Sequence, residues 1–449
     1  MISGDTIAAI ATAPGRGGVA VVRVSGSEAF AIGERLTGRV GIGRSRQASV
    51  SVGPIYSMST DTCRHLSMLI DTGLLLAFKG PHSYTGEDVV EFQCHGGMVT
   101  PRRVLEACLA AGARLAHRGE FTERAFLNGK LDYAQAESVL DLIDAKTPRA
   151  ADAALEGLSG RRQREIRALY ESTLDLSARL EHALDIAEDE LPPDFLSSVN
   201  SQLSTLNSQL RTAIAKATEG RLLKSGALVV LAGPPNAGKS SLMNALLEEN
   251  RAIVSEVPGT TRDSIEAWID LGGWPIRLVD TAGLRNGADD IEREGVKRSE
   301  ELIAKADVVV WLRGYGVTRL RGSDNFNPAT PQPRNFITIH PKCDLGRGEG
   351  LNVSSKTGEG LEELKRAIVA RLEEKVAASD CGDSPEGDVA AYHEALALLS
   401  PLTLSPSHLD LVLLANAVRS AAERLGAAVG ATYSSDMLDK LFSRFCVGK

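Results

Sequence analysis

The residues Gly233-Pro234-Pro235-Asn236-Ala237-Gly238-Lys239-Ser240 follow the spacing G-x4-G-K-[ST], after the apolar run Ala227–Ala232 and ahead of Ser241-Leu242-Met243. A strand, a Gly-rich loop and a helix in that order make a phosphate cradle. Its backbone N–H groups point inward, and the helix N-terminus adds partial positive charge. Lys239 would reach the terminal phosphates and Ser240 would offer its hydroxyl to Mg2+, with Asn236, Ala237, Gly238 and Ser241 completing the candidate shell. The bland alternative, a Gly-rich turn, does not need these flanks.

Two further segments have the character of phosphate-sensing switches. Gly259-Thr260-Thr261-Arg262-Asp263 follows the first helix, and Asp280-Thr281-Ala282-Gly283 follows the strand-like Ile276–Val279. Thr261 can complete the magnesium shell when a γ-phosphate is present, Asp280 can hold the metal through water, and the Gly283 amide can meet the γ-phosphate. Lys342-Cys343-Asp344 and Ser354-Ser355-Lys356 each follow an apolar run, as base-reading loops do. A carboxylate at Asp344 accepts from N–H groups that guanine has and adenine lacks, and the Ser355 amide can donate to the guanine O6. GTP is favoured over ATP.

Two positions depart from the usual pattern. Pro341 stands ahead of Lys342-Cys343-Asp344, where a polar side chain usually helps to hold the base. Leu284 follows Gly283, where a glutamine usually orients the attacking water. Glu292 is a candidate for that task, or else a solvated carboxylate at a helix start. No arginine finger is identifiable by spacing.

These loops need a frame. A chain of 449 residues is long enough for two to four domains. Hydrophobic residues at 43% and charged residues at 24% exclude bulk disorder and a membrane-embedded body. A net charge of -8 excludes a global polycation, so nucleic acid would have to meet a local basic patch. The six cysteines, Cys63, Cys94, Cys108, Cys343, Cys381 and Cys446, show no metal-cage or disulfide spacing, which points to a reducing compartment. No signal-peptide pattern follows Met1, and no apolar run approaches the roughly 20 residues that cross a bilayer. A cytoplasmic protein without a membrane anchor is expected.

The pattern predicts an α+β domain over 1–118, where Gly18–Val24 and Leu74–Phe78 read as strands. From Phe121 the apolar spacing becomes helical and stays so to 218, with a break at Pro192-Pro193 and a polar stretch from Ser197 to Ser208. Strand and helix alternate over 219–378, and a Gly/Ser/Asp-rich linker then leads to Ala/Leu-rich helix over 379–449. The simplest assembly is one discontinuous all-α domain, 119–218 with 379–449, carrying the α/β domain as an insertion.

Longer strings then identify a resemblance. They are Asp5-Thr6-Ile7, Pro14-Gly15-Arg16-Gly17-Gly18-Val19, Tyr84-Thr85-Gly86-Glu87-Asp88, His95-Gly96-Gly97, Gly119-Glu120-Phe121-Thr122-Glu123-Arg124, Lys130-Leu131-Asp132 and the terminal Phe445-Cys446-Val447-Gly448-Lys449. With the loops above, they make the whole chain similar to the MnmE (TrmE) family of tRNA uridine-5-carboxymethylaminomethyl modification GTPases. The resemblance implies a folate-binding, dimerising N-terminal domain and an inserted, Ras-like P-loop GTPase domain. It implies a homodimer and a heterotetramer with an FAD-dependent partner, MnmG (GidA). The pair would add an aminomethyl or carboxymethylaminomethyl group at C5 of the wobble uridine of certain tRNAs. The one-carbon donor would be 5,10-methylene- or 5-formyl-tetrahydrofolate.

By the same resemblance Arg23, Glu91, Lys130 and the terminal Lys449 match folate contacts. A pterin edge suits a carboxylate and an anionic tail suits cations; Arg23 and Glu91 each read, individually, equally as a member of some surface or sheet-edge ion pair. K+ would stand in place of an arginine finger, held by Asn236, Ser255, Val257 and Thr260, and Glu292 matches the water-organising glutamate. Cys446 could attack the uracil ring or simply line the pocket. The competing class is a GTP-gated binding switch of the Era/Der type, which would carry a KH-like RNA domain or a second GTPase domain. A methyltransferase would need a Gly-rich cofactor loop near the N-terminus, which the sequence lacks.

Overall fold

The computed structural model of the chain describes residues 4–43, 48–58, 66–186, 191–249, 266–281, 300–313, 335–348, 350–378, 388–404, 411–429, 438 and 441–449. It divides into two compact units: Met1–Leu140 with Leu158–Gly160 and Thr432–Lys449, and Asp141–Gly157 with Arg161–Ala431.

The first unit is built on a six-stranded sheet. Its strands are β1 (Ile7–Ile10), β2 (Val19–Ser25), β3 (Ser49–Met58), β4 (Leu66–Phe78), β5 (Val89–His95) and β6 (Arg114–Leu115), in the order β3-β4-β5-β2-β1-β6. All neighbours are antiparallel except β1 and β6. The alternation in β2 sends Ala20, Val22 and Val24 to one face, where α1 (Ala29–Thr37) and α2 (Thr100–Ala110) cover them with Ile32, Leu36 and Val104. On the other face Ile7 and Ala9 meet Ala116 and Phe121, the latter from α3 (Glu120–Leu127).

An ion network fastens α3. Arg124, 2% exposed, contacts Asp5, Glu87 and Glu120, while Arg114 contacts Asp5 and Glu120. Burial pushes the Glu120 carboxyl up, but the Arg114 fork, the His117 amide and Arg124 outweigh it and hold it at about 2. The carboxy-terminal segment joins this unit. Phe442 and Phe445 pack with Ala136 and Leu140, the last two from α4 (Tyr133–Asp144), and Val447 bridges to Arg118. Gly448 lies so close to β1 that a β-carbon there would stand 2.2 Å from the Ile10 carbonyl.

The second unit begins with α5 (Pro148–Leu158), α6 (Arg161–Leu184) and α7 (Phe195–Ser225). The polar run Ser197–Ser208 is helical because Val199, Leu203, Leu206, Leu210 and Ile214 still recur every three or four residues and are buried. The expected boundary at 218/219 falls inside α7, which runs unbroken to Ser225 and sends Leu222 and Leu223 into the core of the following sheet.

That sheet contains β7 (Ala227–Ala232), β8 (Glu266–Leu271), β9 (Trp274–Asp280), β10 (Val308–Leu312), β11 (Phe336–Pro341) and β12 (Leu351–Val353), in the order β12-β11-β10-β7-β9-β8. It is parallel except for the β8–β9 hairpin. β7 is buried throughout, as a central parallel strand between two layers should be. The helices α8 (Lys239–Glu249) and α9 (Leu361–Ala377) contribute Leu246 and Ile368 to the core. Beyond the sheet come α10 (Asp388–Leu399) and α11 (Leu411–Val429). Leu176 and Leu203 from before the α/β segment share one core with Ala395 and Val418 from after it, so the helical part is discontinuous and the P-loop part is inserted, as the sequence predicts. Among the described residues no helix is long and apolar enough to cross a membrane.

Candidate nucleotide and folate sites

The second sheet gathers the nucleotide motifs at the carboxyl ends of its parallel strands: Gly233–Ser240 after β7, Asp280 at the end of β9, Lys342–Asp344 after β11 and Ser354 after β12. Ligands of open α/β sheets bind at that edge. Gly233 passes so near β10 that a β-carbon would stand 2.5 Å from the Leu312 carbonyl, and Gly238 has φ +99°; glycine at both positions lets the loop fold over a phosphate.

Lys239, 5% exposed, folds back over the loop and donates to the Gly233 carbonyl at 3.0 Å and the Pro234 carbonyl at 2.9 Å. Ser240 Oγ donates to Asp280 Oδ2 at 2.6 Å. A hydroxyl and a carboxylate so placed are hard oxygen donors of the kind Mg2+ takes, so the residues fit that ion. Thr281 Oγ1 donates to the Leu231 carbonyl at 3.0 Å and ties the end of β9 to β7.

The base-reading loops are held equally firmly. Ser354, fully buried, donates from Oγ to Asp344 Oδ1 at 2.8 Å and fixes the carboxylate that would read guanine. The Lys356 and Thr357 amides both donate to the same hydroxyl, leaving Ser355 at the turn above it. Pro341 closes β11 as a buried residue opposite Val353. Lys342 and Asn236 are the two described non-glycine residues with positive φ, +59° and +57°, and Lys342 Nζ donates to the Asn236 carbonyl at 3.1 Å. That bond joins the phosphate loop to the base loop, and nothing in the sequence spacing announces it. Ser255, Val257, Thr260, Thr261, Ala282, Gly283 and Glu292 lie outside the described residues, so of the expected K+ ligands only Asn236 has a described position.

In the first unit Arg23 on β2 and Glu91 on β5 are register partners. Arg23 Nε donates to Glu91 Oε1 at 2.7 Å, and both side chains are largely buried. The guanidinium lies 5.3 Å from the centre of the Tyr84 ring and 5.6 Å from that of Phe121. Tyr84 is hydrogen-bonded to Thr122 Oγ1 at 2.9 Å, and burial raises the pKa of its phenol. These aromatic walls are site features that residue spacing does not reveal; the signal for them is the string Gly119–Arg124, which places Phe121.

Lys130 Nζ donates to the Pro81 carbonyl at 3.0 Å, and its stem lies beside Gly86, in the loop that carries Tyr84. The chain end lies beside β1. Gly448 touches Ile10, one residue beyond Ala9, the register partner of Arg23, and Lys449 follows it. Cys446 is exposed, and its carbonyl accepts from the Gly119 and Lys449 amides. Arg23 and Glu91 therefore touch, while Lys130 contacts the Pro81 carbonyl beside Gly86 and Lys449 follows Gly448 beside Ile10. Cys94, Cys108 and Cys343 are buried, and burial pushes each of their thiols up.

Residues 6–130 match the family model described as GTP-binding protein TrmE N-terminus, and residues 133–446 match the MnmE helical domain. A tRNA modification GTPase MnmE of Symbiobacterium thermophilum is 41% identical over 464 residues, covering 99% of each chain. One from Nitrosomonas europaea is 39% identical over 466 residues, covering all of both. Among solved structures, the G domain of the T. maritima FeoB iron transporter is 27% identical over 32% of this chain and 98% of its own, with a TM-score of 0.22. The end-to-end matches, on a chain that holds both the phosphate loop and its base-reading partner, show that it belongs to the MnmE family of tRNA modification GTPases.

Proposed function

We propose that this GTPase works as a homodimer and, in a heterotetramer with an FAD-dependent MnmG partner, adds an aminomethyl or carboxymethylaminomethyl group to C5 of the wobble uridine of certain tRNAs. A tetrahydrofolate would supply the one-carbon unit when bound. The observation that carries this reading is the Arg23–Glu91 pair, walled by Tyr84 and Phe121 and approached by the chain end, in a chain that also holds a complete phosphate loop. A binding switch needs no such second site.

The residues divide the work. Glu91 accepts from a pterin edge, Arg23 fixes the carboxylate and offers its remaining donors, and Lys130 and Lys449 are cations for an anionic tail. Cys446, exposed at the same chain end, is a candidate nucleophile. In the other unit Lys239 meets the terminal phosphates, Ser240 holds Mg2+ with Asp280 behind it, and Asp344 selects guanine. Thr261 completes the metal shell, Glu292 orients water, and Asn236 with Ser255, Val257 and Thr260 holds K+. Hydrolysis is then expected to run faster in potassium than in sodium, and equal turnover in both would remove that ion assignment.

The domain limits 1–118, 119–218, 219–378 and 379–449, with the second limit moved to the end of α7 at Ser225, and a cytoplasmic location belong to the same proposal. Its test is nucleoside analysis of total tRNA from cells lacking the protein. Loss of the modified wobble uridine is expected. Unchanged tRNA would favour a GTP-gated switch of the Era/Der type.

A further inference from the structure

The β8–β9 hairpin has an unusual position in the chain. β8 starts at Glu266, shortly after Thr261, and β9 ends at Asp280, so its two ends are the two segments that would sense the γ-phosphate. Its other end is gripped by the connection into α5 and that helix's first turn, far away in sequence. Thr147 Oγ1 donates to the carbonyl of Gly273, in the hairpin turn, at 2.8 Å. The Arg149 guanidinium lies 4.1 Å from the centre of the Trp274 ring, and Lys146 Nζ lies 4.8 Å from that of Trp268. Arg149 is fixed in turn by Glu219 of α7 at 2.5 Å.

The fit is close. A β-carbon at Gly273 would stand 3.2 Å from the Arg149 side chain, and one at Gly226, where α7 gives way to β7, would stand 2.2 Å from the Trp268 ring. Trp274 is fully buried and its indole Nε1 has no hydrogen-bond partner, so packing and the Arg149 cation hold it. A rigid two-stranded lever with a sensor at one end and a salt-bridged clamp at the other passes displacement on, because packed interfaces shift between discrete arrangements.

We propose that Arg149, with Lys146, Thr147 and Glu219, is a positioning clamp that couples the nucleotide state, through the β8–β9 hairpin, to α5 and α7 of the helical part. The contacts these residues make are with the hairpin turn, its two tryptophans and each other, away from the described nucleotide motifs. Their loss should therefore separate GTP turnover from its consequence.

Two of the three tryptophans, Trp268 and Trp274, lie in the hairpin, so a full-length Trp311→Phe protein reports on it alone. Its emission is compared between GDP and a non-hydrolysable GTP analogue. A nucleotide-dependent shift is expected in that parent and should be largely lost in Arg149→Ala. Arg149→Lys should restore part of it, and Glu219→Gln should lie between. The Arg149→Ala protein should turn over GTP within about twofold of the parent yet modify tRNA on the order of tenfold less, a typical coupling effect.

If Arg149→Ala folds poorly, Glu219→Gln and Lys146→Gln carry the same comparison. A folded Arg149→Ala protein with an undiminished shift and full modification would overturn the proposal. So would a parent whose emission ignores the nucleotide, or a collapse of GTP binding in the variant. The emission measurement needs no tRNA, so its failure is distinct from failure of the wobble-uridine chemistry.

Discussion

In the sheet built on β7 the polar groups that would meet a nucleotide sit in loops beyond the strand ends, whereas in the N-terminal sheet Arg23 and Glu91 stand in mid-strand and largely buried. The first arrangement borrows its donors from backbone and needs only a short run of sequence to make each loop. The second depends on cross-strand register and on a helix laid over the sheet, so segments far apart in sequence, from Asp5 to Gly448, contribute to it. The nucleotide site should therefore fail through single chemical groups, and the N-terminal site through its scaffold as well.

The largest effect expected is at Lys239. Removing the buried cation proposed to meet the terminal phosphates should lower the rate constant for GTP hydrolysis on the order of a hundredfold or more. Folate binding by the same Lys239→Ala protein, followed by calorimetry, should be unchanged; a parallel loss would mean that the two sites are not separable.

Next comes the scaffold. Glu120→Gln breaks a buried network and should cost about 3 kcal/mol in denaturant unfolding of the full chain. The pH dependence has a defined sign. The folded Glu120 carboxyl is held at about 2, below its ordinary 4.5, so the network's contribution is present above about 4.5 and is lost as the pH falls toward 2. The variant should show a flatter acid limb, and an identical acid limb in both proteins would contradict this.

Arg23→Ala leaves the largely buried Glu91 without its ion-pair partner and should weaken folate binding by roughly 30-fold, about 2 kcal/mol, with GTP turnover unaffected. The smallest effect is expected at Ser354→Ala. Freeing the Asp344 carboxylate removes one charge-assisted hydrogen bond, so GTP affinity should drop about tenfold and its margin over ATP should narrow. Equal affinities in variant and parent would show that Asp344 is held by something else.

The same contrast explains what could be read without coordinates. The Gly233–Ser240 loop, Asp280 and the Lys342–Asp344 and Ser354–Lys356 loops are contiguous strings whose chemistry follows from neighbours in the chain, so spacing alone located them. The insertion was legible too, because period-2 and period-3.6 patterns change abruptly around Ala227. Arg23 facing Glu91 was not legible from the residues, since strand register links positions far apart through hydrogen bonds that leave no local mark. The Tyr84 and Phe121 walls, the Gly448 contact with Ile10 and the Lys342–Asn236 tie are of the same kind. The unbroken run of α7 was obscured by serines that face solvent while every third or fourth residue stays buried.

The most direct test is complementation of cells lacking this protein with Lys239→Ala or Arg23→Ala, followed by mass spectrometry of the wobble uridine. Both variants should leave it unmodified, the first while still binding folate and the second while still hydrolysing GTP. Full modification by the Arg23→Ala protein would contradict the assignment of a one-carbon site to the N-terminal sheet.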